Sequence, residues 1–196
     1  MSFFVFFGMT LIQMAITSGF MVFILKDPEY YDLSTQDANA ELGYIGSICE
    51  FSIIFIQIFI GPVADAFGKK WVSVISLAVS SIALASIPLF NTVYPGFLMM
   101  RILVACGTSV GNLVPILADY LTPDSLGVGF SMAALIGGLI TGAGMGAGFA
   151  LVGKTDIGIM LYGIGGVAFV VCVICALTMK DVRVESTGIR HLRPRG

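Results

Sequence analysis

Residues Gly61–Lys70 read GPVADAFGKK, with a long apolar run on either side. The stretch holds a helix-breaking Gly-Pro pair, one carboxylate (Asp65), a second glycine (Gly68) and two lysines (Lys69 and Lys70). Asp65 stands where the preceding apolar run ends, and the lysines stand just before the next one begins. This spacing predicts a tight, charged turn between two membrane helices, on the face of the membrane where positive charge collects.

Composition points the same way. The chain has 196 residues, of which 57% are hydrophobic and only 11% charged, with a mean hydropathy of +0.98. A soluble domain carries about 25% charged residues, so the chain reads as a polytopic membrane protein. Its 24 glycines and seven prolines fit closely packed membrane helices. Cys49, Cys106, Cys172 and Cys175 all fall inside apolar runs, so no disulfide framework is expected. The Cys172–Cys175 C-x-x-C has no neighbouring His or carboxylate in sequence and reads as a buried structural pair.

Six spans follow, at about residues 1–25, 42–64, 71–90, 97–121, 126–152 and 157–179. The first run lacks the basic start of a signal peptide and reads as an uncleaved helix, with Gln13 as its most polar side chain. Residues 26–41 carry one lysine against five acids and read as an outer loop. Residues 180–196 form a polar, basic tail. An even number of spans puts both termini on one side. Seven basic residues (Lys69, Lys70, Lys180, Arg183, Arg190, Arg193, Arg195) fall on that side, against Lys26 and Lys154 opposite. Both ends are therefore expected at the cytoplasm or the equivalent compartment of an organelle. Gly61, Gly68 and Lys69 recur 85 residues later as Gly146, Gly153 and Lys154, which hints at an inverted 3+3 repeat.

The pattern Gly61-x-x-x-Asp65-x-x-Gly68-Lys69-Lys70 closely resembles the signature loop between the second and third helices of the major facilitator superfamily of secondary transporters. The resemblance extends from the first span to the sixth. It implies an all-α integral membrane fold, the six-helix, 3+3 inverted-repeat half of such a transporter. It also implies a charge network in which Asp65, Lys69 and Asp119 latch two halves together on the cytoplasmic side. Asp119 followed by Pro123 is similar to the family's acidic end of helix four. The arginine usual after that proline is replaced here by Leu126-Gly127, and the partner half of the network lies beyond this chain.

Glu50 and Arg101 are the only charges well inside the bilayer, at depths that agree within about one helical turn. A lone charge there is costly, so the two are expected either to pair with each other or to face a cavity. Arg101 followed by Gly107 and Gly111 resembles the family's helix-four basic motif, which implies a cavity-facing, coupling role. Gln13 and Asn112 complete the polar candidates for the cavity. Gly138, Gly142 and Gly146 make a smooth stripe on the fifth helix, with Gly144 and Gly148 as a second row, and predict close packing against another helix. The segment resembles the family's helix-five antiporter motif, except that Ala143 replaces its proline and Ala147 its last glycine, so antiport is not implied.

No nucleotide-binding loop, metal-ligand cluster or nucleophile–base arrangement is visible in the sequence. No catalytic role, cofactor, metal or nucleic-acid partner is expected. The partners expected are the lipid bilayer, a small solute of unknown identity, and a second body docked through helices two and five. Two functions fit. In one, the chain is a half-size transporter that pairs with a second half, its own copy or another, and moves a small solute by alternating access. In the other, it is a non-transporting structural subunit of a larger membrane complex; a truncated product of a full-length transporter is a third origin for the same sequence.

Overall fold

A computed structural model describes residues 2–90, 92–113, 125–152 and 154–179. Among these residues the chain is all-helical, with six helices long and apolar enough to cross a membrane. The first span is formed by α1 (Ser2–Gly19) and α2 (Met21–Lys26), interrupted at Phe20. The second is α3 (Thr35–Phe67), and the third is α4 (Lys69–Ser86) with a short 3-10 turn at Ile87–Leu89. A widened turn at Val93–Phe97 leads into α5 (Leu98–Leu113), the described part of the fourth span. The fifth and sixth are α6 (Leu126–Leu151) and α7 (Ile157–Thr178). Asp119 and the tail at 180–196 lie outside the described residues.

Helix α3 departs from the expectation at both ends. It starts at Thr35 instead of near residue 42, because Ser34 caps it: the Ser34 hydroxyl accepts from the Asp37 N–H at 3.2 Å. Asp37 in the first turn complements the positive end of the helix dipole, so the polar segment expected as loop continues the helix. At the other end, Gly61 and Pro62 do not break it; both are exposed and lie within the helix, which runs on to Phe67. Proline is tolerated in a membrane helix where its surroundings re-satisfy the freed carbonyl. The turn contracts to a single residue, Gly68, at φ 90° and ψ 133°. That left-handed conformation is open to glycine and strained for other residues. It lets α4 begin at once with Lys69.

The packing carries the two-fold logic of a 3+3 repeat. Helix α1 packs on α6 as α5 packs on α3, and α4 packs on α7. Helix α4 is the centre, held between α5 and α7. Its buried faces carry Ser73, Ser76, Ser80 and Ser81, small residues that admit neighbouring backbones. A Cβ on Gly107 of α5 would sit 2.6 Å from the Ser76 carbonyl oxygen, and one on Gly165 of α7 would sit 2.8 Å from that of Ser81. The Ser76, Ser80 and Ser81 hydroxyls donate to their own helix, to Ser73 O at 2.7 Å and to Leu77 O at 3.0 and 2.6 Å, whereas the buried Ser73 hydroxyl has no partner.

The outer helices differ sharply from this centre. Only 11% of the apolar stretch of α3, and of α6, is buried inside the bundle, against 61% for the third span. Phe51, Phe55 and Ile58 on α3 and Leu135 and Leu139 on α6 face outward. At the loop end of the bundle, Tyr30 donates to Asp156 Oδ1 at 3.0 Å, and Asp156 in turn caps α7 by accepting from the Gly158 N–H at 2.7 Å.

Candidate functional site: a polar cavity between α1, α3 and α5

Three helices converge on a cavity of about 310 Å³. Helix α1 supplies Met14, Thr17 and Ser18 at i, i+3 and i+4, one helical face. Helix α3 supplies Cys49, Glu50, Ile53 and Gln57, and α5 supplies Arg101, Ala105, Thr108 and Ser109, again at helical spacing. The Thr17 hydroxyl donates to Gln13 O at 2.8 Å and that of Thr108 to Val104 O at 2.9 Å. Their protons are thereby committed, and what remains is acceptor capacity.

Arg101 is half-buried, and its Nε is buried with no hydrogen-bond partner. Glu50 is exposed on the α3 wall of the same cavity, close enough to act electrostatically on the guanidinium. No salt bridge joins the two. Of the two arrangements the sequence left open, the geometry is that of two charges facing one cavity.

The other expected residues are placed elsewhere. Gln13 is fully buried and turned away from the cavity: its Nε2 donates to Ser81 Oγ at 3.0 Å and its Oε1 accepts from Ser80 Oγ at 2.7 Å. It ties α1 to α4 and does not line the cavity. Asn112 lies in the last turn of α5, and its side chain falls outside the described residues. Asp65 is exposed, while Lys69 and Lys70 are half-buried, with Lys70 Nζ 5.1 Å from the Trp71 ring centroid. Asp65 is eight residues past Gln57, roughly 12 Å farther along α3 at about 1.5 Å per residue, so the signature turn and the cavity are separate sites.

The glycines of α6 divide into two rows. Gly137, Gly144 and Gly148 meet Phe7 and Leu11, Ile12 and Phe20 of the first span. Gly138, Gly142 and Gly146 face outward with nothing within 4 Å of a Cβ. The expected stripe is therefore not the contact within this bundle; the second row is.

Sequence reasoning passed over Thr17, Ser18, Thr108 and Ser109. Their signal was register: Thr108 lies seven residues after Arg101, on the same face. Among the described residues no cluster of three His, Cys, Asp or Glu side chains is placed to hold a metal.

Comparison with protein families matches residues 1–194 to the family described as Major Facilitator Superfamily. Comparison with curated proteins and with solved structures returns no match. A match over nearly the full length, on a bundle of six membrane-crossing helices, makes the chain a multi-pass integral membrane protein that belongs to the Major Facilitator Superfamily, a family of transporters.

Proposed function

We propose that this six-helix bundle is one half of a secondary transporter. It pairs with a second six-helix body, its own copy or another, and moves a small polar solute by alternating access through a pathway between the two. The observation that carries this reading is Arg101, whose Nε is buried and unpartnered beside a cavity it shares with Glu50. A charge at membrane depth is costly, and a ligand that completes its hydrogen bonding offsets part of that cost. The signature turn at Gly61, Asp65, Gly68, Lys69 and Lys70, with Asp119, serves as the latch between the halves. Both termini face the cytoplasmic side, in keeping with the distribution of lysine and arginine.

The test is solute uptake into proteoliposomes under an imposed proton or sodium gradient, across a panel of small polar solutes. Arg101→Ala is expected to lower gradient-driven uptake about 10-fold or more, the loss that follows from removing a charged hydrogen bond worth about 1.5–3 kcal/mol. Uptake unchanged by Arg101→Ala removes Arg101 from the mechanism.

One observation favours a second reading, a non-transporting structural subunit docked on a larger complex. The outward row Gly138, Gly142 and Gly146 offers a smooth face to a neighbouring helix, whether or not anything is transported. That reading predicts assembly into a large hetero-complex with no uptake of any solute.

A further inference from the structure

Among the described residues, the cavity is lined by one guanidinium and one carboxylate, with no other charged side chain. They come from different helices, Glu50 from α3 and Arg101 from α5, and no salt bridge joins them. A planar guanidinium side chain at the cavity wall is suited to an oxyanion, a carboxylate above all. A carboxylate at the cavity wall, with hydroxyls of Thr17 and Thr108 whose protons are committed to the backbone, offers acceptors only. The cavity thus presents a donor pole and an acceptor pole of opposite charge, carried by different helices.

Three classes of solute fit this arrangement badly. A simple anion seated on Arg101 brings like charge toward Glu50. A simple cation seated on Glu50 brings like charge toward Arg101. An uncharged polyol makes hydrogen bonds but matches neither charge. A molecule carrying both charges matches both poles at once. Met14, Ile53 and Ala105 supply an apolar wall for its remaining carbons, and a volume of about 310 Å³ limits it to small size. We infer that the solute is a small zwitterion of the amino-acid type, its anionic group held by Arg101 and its cationic group by Glu50. This inference rests on the transport reading above and specifies the solute class of that same cavity.

The experiment measures binding, separately from transport, on the full chain in lipid nanodiscs together with whatever second body co-purifies. The probes are the proteogenic amino acids and, for the strongest binder, its deaminated acid and its decarboxylated amine. The zwitterion is expected to bind about 10- to 100-fold more tightly than either single-charge analogue, since each analogue loses one charge-assisted contact. Glu50→Gln is expected to erase the advantage over the acid while keeping the advantage over the amine, and Arg101→Gln the reverse. Glu50 is exposed, so its variant tests the inference without disturbing the packing. Should the acid or the amine bind as tightly as the zwitterion, or should no amino acid bind while another solute is taken up, the inference is overturned and the transport reading stands. Absence of gradient-driven uptake for every solute overturns the transport reading itself.

Discussion

Gln13 and Arg101 look alike in the sequence, each a polar residue in an apolar run, and the structure separates them. Gln13 has both the nitrogen and the oxygen of its amide engaged, by Ser81 and Ser80. Arg101 keeps a buried N–H unused beside a cavity. Replacing Gln13 by Leu is expected to cost only about 1 kcal/mol of thermal stability, measured by unfolding in detergent, and to leave solute selectivity unchanged. The cost is small because Ser80 and Ser81 both fall back on Leu77 O, and interhelical hydrogen bonds in membranes average about 0.6 kcal/mol. Charge made Arg101 and Glu50 legible in the sequence, because ionisable side chains in a membrane span are rarely idle. Nothing in the sequence tells which way Gln13 points, since a rotation of one residue about the helix axis exchanges cavity for core.

At the scale of elements, the six spans were legible because length and hydropathy alone determine them. The turn between α3 and α4 was legible as a turn, but not as a single residue. Pro62 reads as a helix breaker by rules learned in water, and a membrane helix accommodates it. The glycines show the same limit. A row at four-residue spacing announces that a helix approaches, but which row meets which neighbour depends on rotation about the axis. Gly107→Ala is expected to destabilise the bundle by about 1–3 kcal/mol, because the new methyl meets the Ser76 carbonyl and the packed Ser80 side chain. Gly142→Ala, with open space around it, is expected to leave unfolding of the isolated bundle unchanged. Equal effects of the two substitutions would contradict this assignment of faces.

The loop before α3 is tied to α7 through Tyr30 and Asp156, and this link carries a pH signature. Burial, and next the hydrogen bond to the Asp156 carboxylate, push the Tyr30 phenol from 10.0 up to about 12. The folded state therefore holds the phenolic proton more tightly than the unfolded chain does. The stabilisation is fully present below pH 10 and is lost as pH rises through about 12. Tyr30→Phe is expected to lower stability by about 1 kcal/mol at neutral pH, an effect that disappears above pH 12 in thermal unfolding measured against pH.

The whole molecule is a bundle with a packed centre and two open sides. Helix α4 is packed on both flanks, whereas α3 and α6 leave most of their apolar surface outside. The exposed aromatic and aliphatic residues of α3 and the outward glycines of α6 are where the second body is proposed to sit, with the Arg101–Glu50 cavity between the two. The sequence announced the family through the Gly61–Lys70 turn, and the match over residues 1–194 establishes it. That second body is proposed as the occupant of the open sides.

That occupant is the most direct test of the account. Photo-crosslinking residues placed at Phe55 of α3 and Gly142 of α6, in the protein's own membrane, report what each face touches. Protein adducts at both positions, each with a second six-helix body of the same superfamily, are the predicted result. Adducts with lipid alone at both positions would contradict the pairing of two halves on which the transport reading stands.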